Sequence, residues 1–268
     1  MPEGPEVRQI SKQLSKLVSG RELQEITVLS GRYLKKDLPG LTRMRHKMPM
    51  KVVGVGVHGK FSYWICDSEM FLWCTLGMTG SWATERGKHS RVRFSFFNGV
   101  PMFYDDIRNF GTLKFEEGKT SLLGKLSSLG PDMLAENVTD EKFFDRLQKR
   151  PNWTVAKSIM NQTVIAGVGN YVKADALWLA GISPHRTVES LTDEDLSRLN
   201  GSIKQVLRES FQSGGATIRS YKHIDGSVGE YAQRFLVYNQ KVDLNGNAVI
   251  RETTEDGRTT HWAPDAQK

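Results

Sequence analysis

Val7, Ile10, Leu14, Leu17 and Val18 recur at three- and four-residue intervals, the spacing of one helix face. Pro5 suits the first helical position, Glu6 falls in the first turn and Gly20 is a stop signal, so the chain is predicted to open on a helix. From about residue 22 to 117 the pattern becomes short β-rich runs: Lys51–Val57, Phe61–Cys66, Met70–Thr75, Arg91–Phe97 and Leu113–Glu116. Turn residues separate them (Gly54, Gly56, Gly59, Gly77, Gly80, Asn98-Gly99, Gly111), which predicts a β-sandwich or barrel-like sheet. Gly118–Asn137, rich in Gly, Ser, Leu and Pro, reads as a connector.

Helical spacing resumes after it. Thr139 caps a segment with Phe143, Phe144 and Leu147. A helix through Ile159 leads into Ala166-Gly167-Val168-Gly169-Asn170, and a further helix with Tyr171, Ala174, Leu177 and Trp178 closes at Gly181. Thr192 and Asp195 form a capping-box-like start for Leu196, Leu199, Ile203, Val206 and Leu207. The tail returns to strand: Val249-Ile250 and Thr253-Thr254, then Asp256-Gly257, then Arg258 to Trp262. Asp-Gly between such runs is a strong hairpin signal.

The 268 residues fit one large or two modest domains. Against 30 Asp and Glu stand 37 Lys and Arg, a formal charge of +7, which points toward a polyanionic partner. Mean hydropathy is −0.43 and no apolar run approaches a membrane span. No charged-then-apolar leader is evident, and Cys66 and Cys74 are too few for a disulfide framework or an all-cysteine zinc site. A soluble intracellular protein is expected.

The N-terminus, Met1-Pro2-Glu3-Gly4-Pro5-Glu6-Val7, carries the sharpest chemistry. Initiator Met is normally removed before proline, leaving a secondary α-amine with a pKa of ~8, partly unprotonated near neutrality. Attack of such an amine on a sugar aldehyde carbon gives an iminium that cannot lose its charge by N–H deprotonation, a durable electron sink. Glu3 and Glu6 supply carboxylates for proton transfer and orientation. Taken alone, the same Pro and Glu residues are also good helix-start residues.

Further segments occur in order. They are His58-Gly59-Lys60-Phe61, Thr75-Leu76-Gly77-Met78-Thr79-Gly80, Lys88-His89, Tyr104-Asp105-Asp106-Ile107-Arg108-Asn109-Phe110-Gly111 and Leu129-Gly130-Pro131-Asp132. Ala166-Gly167-Val168-Gly169-Asn170-Tyr171, Gly214-Gly215-Ala216-Thr217 and Gly257-Arg258-Thr259-Thr260-His261-Trp262 follow. With the N-terminus, this series resembles the Fpg/Nei family of DNA glycosylases with abasic-lyase activity over nearly the whole chain.

The resemblance implies an α+β fold: an N-terminal β-sandwich with a leading helix, then a helix-two-turn-helix domain ending in a β-hairpin finger. The corresponding regions are 1–118 (catalytic sandwich), 119–137 (connector), 138–234 (helix-two-turn-helix) and 235–268 (finger). It implies Pro2 as Schiff-base nucleophile at C1′, Glu3 as the acid that protonates the sugar ring oxygen, and Glu6 as its hydrogen-bonding partner. Lys60 becomes a phosphate ligand and proton donor in β-elimination. Met78, Arg108 and Phe110 match the trio that fills the gap left by a flipped nucleotide. His89 matches a DNA contact, and the Asn170 amide a phosphate contact at a helix N-terminus. Taken alone, Met78 and Phe110 read as core, Lys60 as a solvated turn lysine, Arg108 as a partner of Asp105 or Asp106, and Asn170 as an N-cap.

Departures are visible. Asn109 replaces a common second Arg, Thr75 a His, and Asn152 a contacting Lys, with Arg150 and Lys157 nearby. The family's four zinc-ligand cysteines fall at Asp243, Gly246, Ala263 and Ala266, so a zincless finger is expected, with no metal and no cofactor. Arg258 matches the finger arginine, which would enter the minor groove, bind the lesion's phosphates and assist δ-elimination; alone it is a solvent-exposed turn residue.

The expected function is removal of oxidised bases, pyrimidines and formamidopyrimidines favoured, from double-stranded DNA in base excision repair, with β,δ-elimination at the abasic site. Pro-Glu-Gly-Pro-Glu is Nei-like. Gly214 to Thr217 and the loop Asp225-Gly226-Ser227-Val228-Gly229 look like the region that caps 8-oxopurines in Fpg enzymes. An 8-oxoguanine- and formamidopyrimidine-directed enzyme, or a non-catalytic damaged-DNA-binding protein of the same fold, are the alternatives. A monomer acting at DNA, in nucleus or nucleoid, without membrane association is expected.

Overall fold

The computed structural model describes residues 2–217 and 224–268. The chain forms two compact units. The first holds Glu6–Ser127 with Pro2 and Gly214–Gly229; the second holds Glu3–Pro5, Ser128–Ser213 and Glu230–Lys268.

In the first unit, helix α1 (Gly4–Val18) precedes β1 (Glu22–Val28), the short helix α2 (Leu41–His46), β2 (Met50–His58), β3 (Phe61–Cys66) and β4 (Met70–Thr75). Then come β5 (Gly80–Ala83), β6 (Ser90–Phe96), β7 (Met102–Asp106), β8 (Thr112–Glu117) and helix α3 (Lys119–Ser127). The strands run in the order β5-β7-β6-β1-β2-β3-β4-β8, paired antiparallel throughout. β1 and β2 share only the pairs Glu22↔Lys51 and Leu23↔Met50, so the sheet divides there into two four-stranded halves. Trp64 of β3 meets Trp82 of β5 (centroids 5.2 Å apart) and Phe94 of β6 (5.2 Å), so the halves face each other across one core. Val7, Ile10, Leu14 and Val18 of α1 join that core. This is the expected sandwich with its leading helix.

In the second unit, α4 (Asp140–Gln148), α5 (Val155–Met160), α6 (Asn170–Ala180) and α7 (Asp193–Gln212) are followed by β9 (Ile250–Thr253) and β10 (Thr259–Trp262). Thr139 Oγ1 accepts from Lys142 N, and the Thr192–Asp195 box is complete. Gly181, at φ 70°, caps α6, as its place in the sequence suggested. α6 and α7 are joined by the buried Tyr171 Oη and Ser210 Oγ, 2.8 Å apart. The tail hairpin forms, but with a five-residue turn, 254–258, in place of a tight two-residue one; Gly257 supplies its positive φ of 69°. Lys119–Ser127, in the stretch that reads as a connector, is helical.

No described helix is long and apolar enough to cross a membrane.

Candidate active site

α6 is the scaffold of the second unit's candidate residues. Its first backbone N–H groups have no partner within the helix. Glu3, only 2% exposed, takes two of them: Tyr171 N donates to Oε1 at 3.0 Å and Val172 N to Oε2 at 3.4 Å. The positive end of the helix dipole therefore faces this carboxylate. Gly4 N donates to Gly167 O at 2.9 Å, and Gly167 adopts φ 103°. A Cβ on residue 169 would collide with the Glu3 carboxyl group. The Gly-x-Gly turn thus makes room for Glu3 and Gly4, a role the motif alone did not reveal.

Asn170 is the first residue of α6, not its cap; Gly169 is the N-cap. Asn170 Nδ2 donates to Thr259 O of β10 at 2.6 Å, while its buried Oδ1 has no partner among the described residues. Arg258 lies exposed on the hairpin turn. Its own N–H reaches Asp256 Oδ1 at 3.2 Å, and Lys173 Nζ of α6 lies 2.6 Å from Asp256 Oδ2. Lys157, near Asn152 in the sequence, pairs with Glu255 of the same turn at 2.8 Å.

In the first unit Pro2 is buried. Met1, whose removal would free its nitrogen, lies outside the described residues. Glu6, 1% exposed, accepts from Ala216 N at 2.7 Å. Gly215, at φ 87°, lies so close that a Cβ there would sit 2.8 Å from Glu6 Oε1. Gln13 of α1 holds the same segment further on, accepting from Ile224 N and donating to Asp225 Oδ2, each at 3.0 Å. Both flanks of the expected capping region, 214–217 and 225–229, are thereby tied to α1; residues 218–223 lie outside the described ones. Lys60 is half-buried in the two-residue turn between His58 and Phe61, with Gly59 at φ 57° as such turns require.

Met78, Arg108 and Phe110 come together. The Arg108 guanidinium lies over the Phe110 ring at 4.5 Å, and its Nη1 is 3.2 Å from Met78 Sδ. Met78 is 38% and Phe110 53% exposed, so neither is a core residue. Arg108 uses its backbone N–H, not its guanidinium, to bond Asp106 Oδ1 (3.2 Å).

Asp106 itself went unrecognised in the sequence. It is 1% exposed and accepts from Thr79 Oγ1 at 2.5 Å and Gly111 N at 2.8 Å, so one carboxylate clasps the two loops that carry the trio. Arg32 adds a second clasp by donating to Asn109 O (3.0 Å) and Gly111 O. His89 sits half-buried just before β6, its carbonyl accepting from Asp106 N at 3.1 Å. Lys173 and Asp256 were missed too. The available signal was a lysine and an aspartate, Lys173 and Asp175, inside the otherwise apolar α6.

Family models for the formamidopyrimidine-DNA glycosylase N-terminal domain and H2TH domain match residues 1–113 and 129–222. The Bacillus subtilis formamidopyrimidine-DNA glycosylase is 30% identical over all of this chain and 99% of its own length, and that of Brevibacillus brevis is equally similar. Among solved structures, the Thermus thermophilus MutM (Fpg) protein superposes with a TM-score of 0.88 at 29% identity, covering 99% of this chain and 98% of that one. A Lactococcus lactis Fpg variant bound to Fapy-dG-containing DNA gives 0.89 at 25% identity over the whole of both chains.

The chain belongs to the formamidopyrimidine-DNA glycosylase family. It is a DNA N-glycosylase with abasic-site lyase activity, as the family is.

The zinc that most Fpg fingers hold does not fit this member. Gly246, Ala263 and Ala266 offer no ligand atoms. The Asp243 carboxylate is taken up by Asn245 N (2.9 Å), Asn247 N (2.8 Å), Asn247 Nδ2 (2.9 Å) and Trp178 Nε1 of α6 (2.9 Å). Burial pushes its pKa up, but these hydrogen bonds outweigh that and hold it at about 2. At the other knuckle, buried Gln267 accepts from Ala263 N and donates to Ile182 O just past α6, both at 2.8 Å. Hydrogen bonds close the finger where thiolates and metal do so in zinc-bearing relatives. Among the described residues no group of three or more His, Cys, Asp or Glu is placed to hold a metal ion.

Proposed function

We propose that this Fpg-family enzyme excises ring-opened purines and oxidised pyrimidines from duplex DNA and then cuts the abasic site by β,δ-elimination through an N-terminal proline Schiff base. The observation that carries the reading is the Glu3 carboxylate, fixed by two α6 N–H groups in the residue directly after Pro2. An acid so held keeps a fixed orientation on α6, which is what proton transfer to a sugar oxygen demands.

In this reading the Pro2 nitrogen bonds to C1′ as the damaged base departs with a proton. Glu3 protonates the ring oxygen, the ring opens, and a C1′ iminium remains. Loss of a C2′ proton expels the 3′ phosphate. A second elimination expels the 5′ phosphate, leaving a one-nucleotide gap with phosphates at both ends. Lys60 binds phosphate and donates a proton in the first elimination, and Arg258 grips the lesion's phosphates in the second. Met78, Arg108 and Phe110 fill the space of the flipped nucleotide, whose extrusion costs a few kcal/mol. Exposed apolar groups held against a cation suit insertion beside stacked bases. His89 and Asn170 contact the backbone.

Ring-opened purines are favoured by the relatives' name and by the Fapy-dG in the Lactococcus lactis complex. Oxidised pyrimidines are favoured by the Nei-like Pro2-Glu3-Gly4-Pro5-Glu6 start. Single-turnover excision from matched duplexes holding a formamidopyrimidine, thymine glycol or 8-oxoguanine tests the range. Fast excision of the first two supports it; activity confined to 8-oxoguanine, or absent from all three, overturns it.

A further inference from the structure

The turn that carries Arg258 also carries two acids, Glu255 and Asp256, an awkward composition for a loop meant to enter a DNA groove. Each acid is matched by a lysine from the helical body. Glu255 is exposed and bonds Lys157 Nζ and Thr154 N, at 2.8 and 3.0 Å. Asp256 is different: its side chain is 4% exposed and Lys173 is 0% exposed, so their 2.6 Å contact is a buried ion pair. Thr254 Oγ1 (2.5 Å) and Arg258 N (3.2 Å) complete the carboxylate's hydrogen bonds at Oδ1. Burial holds the Lys173 pKa below the usual lysine value, an effect that Asp256 offsets only in part. Buried ion pairs contribute little net stability, because desolvation offsets the attraction. A role in function explains this one better.

We propose that Lys173 is a positioning residue for the second elimination: it neutralises Asp256 and so leaves the Arg258 guanidinium for DNA phosphate. Asp256 supports the turn through the Arg258 N–H. Without a counter-ion its charge would sit two residues from the one cation of the turn. An unpaired carboxylate in a low-dielectric setting attracts a neighbouring guanidinium strongly. Arg258 would then fold back onto Asp256. Lys173 also stands on the α6 turn whose N–H groups hold Glu3, so the acid for ring opening and the finger arginine are set by one helical turn. The inference rests on the proposed role of Arg258.

The test compares Lys173→Met, Asp256→Asn, their double variant and Arg258→Ala on a duplex with a preformed abasic site. The ratio of δ- to β-elimination product is read, with borohydride trapping of the Schiff base as the control for fold and first chemistry. Expected is a ratio about tenfold lower in Lys173→Met and in Arg258→Ala, the scale of one lost hydrogen bond to a charged group, with trapping retained. Asp256→Asn and the double variant should keep the wild-type ratio, because the competing charge is gone while the acceptor for Arg258 N remains.

A merely structural pair would lower the ratio in Asp256→Asn as well, because that variant leaves Lys173 buried without its partner, and that result overturns the inference, as does a wild-type ratio in Lys173→Met. Should Lys173→Met fail to fold, Asp256→Asn still decides, since a structural pair requires its ratio to fall. A wild-type ratio in Arg258→Ala overturns the role assigned to Arg258 and the inference with it. Loss of trapping in the wild type instead overturns the Schiff-base reading itself.

Discussion

The carboxyl group of Glu3 occupies the space that a side chain on Gly169 would need. The glycine-rich turn before α6 and the acidic N-terminus, 166 positions apart, are in this way two halves of one contact. Gly169→Ala should displace Glu3 from its two N–H donors while leaving most of the buried core untouched. Base excision should fall about 100-fold, the scale of an ångström-level misplacement. Cleavage of a preformed abasic site, where the base is already gone, should fall much less. Single-turnover rates on the two substrates check this.

Asp106 is buried and accepts from Thr79 Oγ1, Arg108 N and Gly111 N. Asp106→Ala strands the buried Gly111 N and removes the acceptor of Thr79 Oγ1, whereas Arg108 N keeps Thr79 Oγ1 at 3.0 Å. An unsatisfied buried group costs on the order of 1–3 kcal/mol, so a loss of about that size in unfolding free energy is expected. Because the same loops carry Met78, Arg108 and Phe110, preference for abasic over undamaged duplex should shrink as well. Denaturant titration and competition binding read the two effects.

Much of the fold was legible in the sequence, for a physical reason. α1, β3, β4 and the capped helices α4 and α7 obey a clean period or carry an explicit cap. β1 was not picked out because a bulge between Leu23 and Glu25 breaks its alternation. β7 was hidden by ending in Asp105 and buried Asp106, acids that read as loop. α3 buries only Leu122 and contains Gly124, so it lacks an amphipathic face. Of the candidate residues, Met78, Arg108 and Phe110 could be named from their motif, but not the clasp that gathers them. That clasp joins residues far apart in the chain through one carboxylate, which leaves no local pattern.

Asp175 of α6 is fully buried. Val237 N and Tyr238 N donate to its Oδ1 at 3.0 and 3.1 Å, while Oδ2 has no partner among the described residues. Burial raises its pKa from 3.8 to about 6, against the pull of the backbone N–H groups. At this one site the folded protein therefore binds more protons than the unfolded chain between pH 3.8 and 6, and the group's contribution to stability is lost as pH rises through that window. The loss is about 3 kcal/mol. Asp175→Asn should remove this component, so that Tm between pH 4 and 7 rises relative to wild type as pH increases. Parallel Tm–pH curves for the two proteins would refute it.

The finger should be indifferent to metal. EDTA is expected to change neither Tm nor activity, whereas Asp243→Ala, which frees Asn247 and the Trp178 indole, should lower Tm and weaken binding to abasic duplex. The low pKa of Asp243 places this contribution above about pH 4 and removes it as pH falls toward 2. Reversible inactivation by EDTA would show that a metal is held after all.

The nucleophile can be tested most directly by trapping. Purified protein whose N-terminus has been defined by mass is incubated with abasic duplex and borohydride, and the reduced adduct is digested and sequenced by mass. Expected is one adduct on the Pro2 nitrogen of chains lacking Met1, formed far more slowly in Pro2→Gly under the same conditions. An adduct on Lys60 or another lysine, or full strand cleavage by chains that retain Met1, would contradict the proline mechanism.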